Sequence, residues 1–255
     1  MNIVTSADAR FFHCVQGLAR SVRTFYDKKL IVYDLGLTDE QRDTLNADLV
    51  KIDVEVDFYN YTTVKRTPFI RATHKPFCVK HYFSTCSEPM IFVDADCLFM
   101  ERVEESGFDV GVTLKPRKRL DLTNSYNGIL NTGVIFFNNS ASELVDRWIQ
   151  ECKKPNTTDQ KALTDILSET IAWGQYDRVY EWAGLRVKVF RVEEYNDYYL
   201  RTGKIFHFKG KRHEEATYAK LVNAMGKDVD LYRLFKDLTR TRYSPIKRLL
   251  SRVGL

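Results

Sequence analysis

Met90-Ile91-Phe92-Val93-Asp94-Ala95-Asp96 is four continuous apolar residues followed directly by two carboxylates. An apolar run this short, rich in β-formers and ended by polar residues, predicts a strand buried on both faces, as in a parallel sheet covered by helices. The neighbouring chain supports that reading. Asn2–Ser6 and Leu30–Tyr33 have the same strand character, and between them Phe11, Val15, Leu18 and Val22 recur at helical spacing. Thr38 followed by Gln41 has the capping-box pattern, predicting a helix to about Leu45. Ile52-Asp53-Val54-Glu55-Val56 alternates like a strand, and 76–83 reads as the helix before Met90. Strand and helix in alternation predict an α/β domain with a largely parallel sheet.

The second half is less regular. Val110–Thr113 and Gly133–Phe137 are predicted strands, separated by the polar, basic stretch 115–127, predicted as a loop. Leu144, Val145, Trp148, Ile149 and Cys152 form a helical stripe, and Thr158 can cap a helix carrying Ala162, Leu163, Ile166 and Leu167. Strands are expected at Leu185–Phe190 and Lys204–Phe208. In 255 residues there is no repeat, no low-complexity segment and no linker. No apolar run approaches the roughly 18 residues needed to span a bilayer. The first residues lack a signal-peptide pattern, so the expected location is the cytoplasm. Five scattered cysteines without C-x-x-C spacing argue against a disulfide framework or a structural zinc site, and read as small buried hydrophobes.

The net charge of +5 is unevenly spread: 231–255 holds seven Lys or Arg against Asp237, a charge of +6, and leaves −1 for the rest. A neutral body speaks against nucleic acid as a partner. The expected organisation is a domain over 1–230 and a basic amphipathic helical tail over 231–255. In that tail Leu231, Leu234, Phe235 and Leu238, then Ile246, Leu249, Leu250 and Val253, fall on helical faces. Such a tail suits either an anionic membrane surface, which would make the protein peripheral on the cytoplasmic face, or packing against the domain.

Asp94 and Asp96 lie where ligands bind in α/β sheets, beyond the carboxyl end of a strand. Two acids this close repel each other, and a hard divalent ion resolves the conflict; taken alone, Asp94-Ala95-Asp96 equally suits a solvated turn. Here the sequence resembles GT-A fold glycosyltransferases, most nearly the retaining galactosyltransferase and glycogenin-like family. Ile91–Leu98 resembles the family's strand and D-x-D motif. Val4-Thr5-Ser6-Ala7-Asp8 resembles the strand end that grips the nucleotide, with Phe11 or Phe12 near the base, and Lys75 resembles a basic residue directed to the donor. Asn131-Thr132-Gly133 resembles a donor-sugar segment, Asp159-Gln160 a pair near the reacting carbon, and His207-Phe208-Lys209-Gly210 the H-x-x-G motif. The match covers roughly residues 2–213. It departs from the family after Gly210, where Lys211-Arg212-His213 replaces the usual lysine segment, leaving Lys209, Lys211 or Arg212 for the diphosphate.

The resemblance implies a Rossmann-like, mostly parallel sheet flanked by helices. It also implies Mn²⁺ or Mg²⁺ held by Asp94, Asp96 and His207, and a catalytic set of Asp159, Gln160 and Asn131. Donor contacts would come from Thr5, Ala7, Asp8, Phe12, Lys75, Ala95, Lys209, Gly210 and Lys211. The implied reaction moves a sugar from a nucleotide sugar, a UDP-sugar, to a glycan or lipid-linked acceptor with retention. Taken alone, several of these residues have a second reading. Asp8 also suits a helix cap, Asp159 an acid favoured in a first helical turn, and His207 a buried strand histidine. The rival functions are sugar-phosphate nucleotidyl transfer, disfavoured because Ala7-Asp8-Ala9-Arg10 lacks a glycine-rich phosphate loop, and a non-catalytic sugar-binding or membrane-surface protein.

Overall fold

The computed structural model describes residues 1–52, 74–115, 128–154, 157–171, 175–197, 202–208 and 215–239. An eight-stranded sheet runs in the order β3-β2-β1-β4-β7-β6-β9-β8. Its strands are β1 Asn2–Ala7, β2 Ile31–Asp34, β3 Asp48–Val50, β4 Met90–Val93, β6 Val110–Leu114, β7 Leu130–Phe137, β8 Arg178–Trp182 and β9 Leu185–Arg191. β5 (Cys97–Phe99) and β10 (Ile205–His207) form a separate antiparallel pair. The first four strands in the order are parallel, as is β6 with β9. β7 runs antiparallel between β4 and β6, and β8 antiparallel to β9, so the sheet is mixed, with parallel pairings in the majority.

The apolar run that opens the sequence serves both faces. Met90 and Phe92 pack with Val79, Tyr82, Ile135 and Trp148, whereas Ile91 and Val93 pack with Ile3, Val15, Leu18 and Val134. The first face is covered by α3 (Lys75–Thr85), α4 (Ser142–Cys152) and α5 (Asp159–Leu167), the second by α1 (Phe12–Tyr26). Local chemistry sets the helix starts. Thr38 and Gln41 form a reciprocal capping box at α2 (Asp39–Thr44), and Thr158 accepts from the Lys161 N–H to cap α5. Pro76 lies in the first turn of α3, where its missing N–H has no intrahelical partner to lose.

Most elements fall where the pattern predicts them, and Asp48–Val50 is a strand the pattern does not mark. It begins at Asp48, because the chain leaving α2 comes immediately beside β2 and the Asp48 N–H bonds to the Leu30 carbonyl at 2.9 Å. The alternating stretch 53–56 lies outside the described residues, as does 116–127. All five cysteines are free, four of them buried and Cys86 half-buried.

After the one-turn helix α6 (Val192–Tyr195) and β10 come α7 (Glu215–Ala224) and α8 (Leu231–Thr239). The apolar face of α8 is seated on the domain. Phe235 is buried, with its ring 5.2 Å from that of Phe206, in a cluster with Leu98, Met100, Tyr218, Leu221 and Met225. The Tyr232 hydroxyl donates to the Gly203 carbonyl at 3.1 Å. The second apolar stripe of the tail, 246–253, lies outside the described residues. No helix among the described residues is long and apolar enough to cross a membrane. Phe235→Ala is expected to cost about 3–5 kcal/mol of stability, the range for emptying a buried aromatic site. Chemical denaturation should show it as a lower midpoint at unchanged slope.

Candidate active site

The strand-to-strand turn after β4 is held from two sides. The Asp94 N–H bonds to the Gly133 carbonyl at 2.8 Å, the Cys97 N–H to the Asp94 carbonyl at 3.0 Å, and the Phe208 N–H to the Asp96 carbonyl at 3.0 Å. The turn therefore links β4, β7 and β10. In the β5–β10 pair His207 lies opposite Cys97, which brings the imidazole to the two carboxylates from more than a hundred residues away. His207 Nε2 is 3.3 Å from Asp96 Oδ1 and 3.6 Å from Asp94 Oδ2. The ring lies over Gly133, where a Cβ would come 2.5 Å from its Cε1, so any side chain at 133 would displace it.

A second charge group adjoins the first. Lys75, at the start of α3, is buried, and its Nζ lies 2.7 Å from Asp94 Oδ1 and 3.0 Å from Asp159 Oδ2. Burial works against the Lys75 ammonium, but Asp159 and Asp94 outweigh it and hold its pKa above the ordinary lysine value. The Thr132 hydroxyl donates to Asp159 Oδ2 at 2.7 Å, and the Asp159 carbonyl accepts from the Trp148 indole N–H at 2.7 Å. These contacts are possible because the β6–β7 register shifts between Val112 and Thr113, freeing Thr132 and Gly133 to face β4. Asn131 is buried. Its Oδ1 accepts from the Gly133 N–H at 3.0 Å, while its Nδ2 has no hydrogen-bond partner among the described residues. A buried amide donor left open at a site is suited to a ligand oxygen.

Of the three carboxylates here, Asp94 and Asp159 pair with the Lys75 ammonium. Two acids each within 3.6 Å of one imidazole nitrogen offer oxygen and nitrogen donors of the kind a divalent cation takes. Cys97 is the rival third ligand, since ligand atoms of Asp96, Cys97 and His207 lie within 4.8 Å of one another. Burial, then the nearby Asp96 and Asp94 charges, push the Cys97 thiol well above its ordinary value, and it donates to the Gly133 carbonyl at 3.6 Å. For a hard ion, Asp94 is the better third ligand.

The remaining residues singled out in the sequence are placed as follows. Thr5 is buried and its hydroxyl donates to the Val93 carbonyl at 2.7 Å, so it ties β1 to β4. Ala7 and Ala95 are buried, and Phe12 is half-buried against the α1 face of the core. Asp8 is buried, accepts from the Arg10 N–H at 2.8 Å as the cap of the 3-10 turn Ala9–Phe11, and pairs with the Arg10 guanidinium at 3.1 Å. Gln160 is half-buried beside Asp159 in the first turn of α5. Lys209, Gly210 and Lys211 lie outside the described residues. A further residue of the site is Asn196, which follows α6 and touches His207 Nδ1 at 2.7 Å. No periodicity or motif marks that position, and its proximity arises only when β10 folds back on β5.

The mixed sheet, the D-x-D turn at the end of β4 and the β5–β10 pair that adds a histidine define the GT-A glycosyltransferase fold. Solved structures agree. The chain is similar to the galactosyltransferase LgtC, crystallised with donor and acceptor sugar analogs: TM-score 0.52, 13% identity, over 92% of this chain and 100% of that one. It is similar to the bifunctional glycosyltransferase WbbM, with TM-score 0.57 and 13% identity over 92% of this chain and 51% of that one. It also resembles a glycosyltransferase involved in glycosylation of the major capsid of PBCV-1, with TM-score 0.52 and 10% identity over 84% and 96% of the two chains. No family model and no curated protein sequence matches.

Lys75→Met would leave Asp94 and Asp159 facing each other without a cation, and breaking such a buried pair typically costs about 3–5 kcal/mol. Because the folded-state pKa of Lys75 is raised, its contribution is fully present below the ordinary lysine range and is lost only as pH rises through the folded value. Thermal melts should therefore show the same loss at neutral pH and at about pH 9, still below the ordinary lysine pKa.

Proposed function

We propose that the protein is a divalent-metal-dependent glycosyltransferase that moves a hexose from a UDP-sugar to a glycan or lipid-linked acceptor with retention of configuration. The observation that carries this reading is the convergence of Asp94, Asp96 and His207 at the carboxyl end of β4, on a GT-A fold. The similarity to an enzyme crystallised with donor and acceptor sugar analogs supports the substrate class.

In this reading Asp94, Asp96 and His207 hold Mn²⁺ or Mg²⁺, which when bound supplies a Lewis acid for a departing diphosphate. The residues of the chain do the rest. Asn131 Nδ2 offers a hydrogen bond to a sugar oxygen, and Gln160 is a second neutral amide suited to one. Asp159 would contribute a fixed negative charge suited to a developing cation. Its Oδ2 is already engaged by Lys75 and Thr132, which makes it a weak nucleophile and favours attack on the same face as departure over a covalent intermediate. Lys209, Lys211 and Arg212 are the candidates to neutralise the diphosphate.

Asp96→Asn removes one ionic ligand while keeping the side-chain shape. It is expected to abolish Mn²⁺-dependent release of UDP from a UDP-sugar, screened over several sugars, with an unchanged circular dichroism spectrum. Full metal-dependent turnover in the folded variant would reject the assignment.

We further propose that the protein works on the cytoplasmic face of an anionic membrane. The apolar face of α8 is already covered, so the lipid-facing part is 240–255, with Arg240, Arg242, Lys247, Arg248, Arg252 and no acid. Each basic side chain near such a surface contributes about 1 kcal/mol at most. Truncation after Thr239 leaves Phe235 in place and should eliminate salt-sensitive binding to vesicles containing phosphatidylserine. Binding that survives the truncation would count against this part.

A further inference from the structure

Asn196 is fully buried, and its neighbours fix which way its amide points. Its Nδ2 lies 3.3 Å from the Asn131 carbonyl oxygen and 3.0 Å from Thr113 Oγ1. A carbonyl oxygen can only accept, so the amide end facing it must be the NH₂ group. Thr113 already donates its single hydroxyl proton to that same carbonyl, at 2.8 Å, so it too accepts from Asn196. The Asn196 oxygen is thereby turned to His207 Nδ1 at 2.7 Å, and an acceptor at that distance requires the proton on Nδ1. A neutral imidazole protonated on Nδ1 has its lone pair on Nε2, the nitrogen that faces Asp96 and Asp94.

The backbone holds the two side chains in this relation. The Asp197 N–H bonds to the Ile205 carbonyl at 2.8 Å, and the His207 N–H to the Asp197 carbonyl at 3.0 Å, so the residue after Asn196 is locked to β10 on both sides of Phe206. The Asp197 carboxylate accepts from the Thr202 and Gly203 N–H groups at 3.2 and 3.0 Å, tying down the return of the chain. Gly203 permits that closeness, since a Cβ there would come 2.4 Å from Asp197 Cβ and 2.7 Å from the Glu193 carbonyl oxygen.

We propose that Asn196 is a positioning residue that fixes His207 in the Nδ1–H tautomer and so presents the Nε2 lone pair to the Asp94–Asp96 pair as a cation ligand. Only the ligand role rests on the metal reading above; the tautomer does not. Asn196 also bonds the carbonyl of Asn131, so the same amide joins the imidazole to the segment whose side chain is open to a ligand.

The test uses the full chain without metal, labelled with ¹⁵N-histidine at about pH 8, above the ordinary imidazole range. The His207 signals are identified by their absence in His207→Gln. Long-range ¹H–¹⁵N spectra are expected to show a protonated Nδ1 and a bare Nε2. In Asn196→Leu, similar in size but without an acceptor, that preference should disappear, and Mn²⁺ binding followed by electron paramagnetic resonance should weaken by about 10–100-fold, as for other residues that orient a metal-bound histidine. Asn196→Asp keeps an oxygen for Nδ1 and should retain the tautomer, which preserves the test if the leucine variant fails to fold. An Nε2–H tautomer in the unmodified protein overturns the proposal. So does an unchanged tautomer and Mn²⁺ affinity in a folded Asn196→Leu, or a lost tautomer in a folded Asn196→Asp. An unmodified protein that binds no Mn²⁺ yet shows the Nδ1–H form supports the positioning role and instead removes the metal from the proposed function.

Discussion

Three carboxylates, two of them paired with one ammonium, gather at the carboxyl end of β4, and much of the fold is arranged around them. Lys75 neutralises the near side, lying between Asp94 and Asp159. On the far side Asp94 and Asp96 face His207. A purely structural cluster would gain by losing one acid, because like charges in a dry setting raise each other's cost of ionisation. Carboxylates grouped beside an imidazole nitrogen are instead an arrangement that a mobile cation can stabilise.

The backbone is built so that this cluster cannot relax. A shift of register opens β7 away from β6 at Thr132 and Gly133, and both residues then face the charges. Gly133 leaves room for the imidazole, and Thr132 gives its proton to Asp159. Trp148 is fully buried in the core on the α4 side yet donates to the Asp159 carbonyl, so hydrophobic packing and the placing of an acid are fixed by one side chain. Stability and site geometry are coupled here, and substitutions at Trp148 would disturb both.

Much of the fold was legible in the sequence because burial leaves a periodic trace. The run at 90–93 packs alternate residues onto opposite layers, which is why it is apolar throughout, and the stripes of α1, α4 and α5 mark their inner faces. The antiparallel course of β7 left no such trace, because a strand buried on both faces reads the same in either direction. The acids of the site were visible, being costly anywhere else, and His207 through its place in a motif. Asp8 and Thr5 were less transparent, since the polar side chains that could touch a ligand are also those that cap a turn or bind a neighbouring strand, as both do here. Asn196 was invisible, because its partners come from β6, β7 and β10, and no local pattern encodes a contact made by three distant segments.

The tail shows how an amphipathic pattern can have two outcomes within a few turns. An apolar stripe with basic flanks is equally suited to a membrane and to a protein surface, because both reward removal of the stripe from water. For α8 the protein surface wins: Phe206, Leu98 and Met100 stand on the outer side of the β5–β10 pair and need a cover, and Phe235 supplies it. The cover lies directly behind the strand that carries His207. Seating α8 therefore buttresses the pair that brings the imidazole to the carboxylates, so of the two roles the pattern allows, the first helix of the tail takes that of packing against the domain.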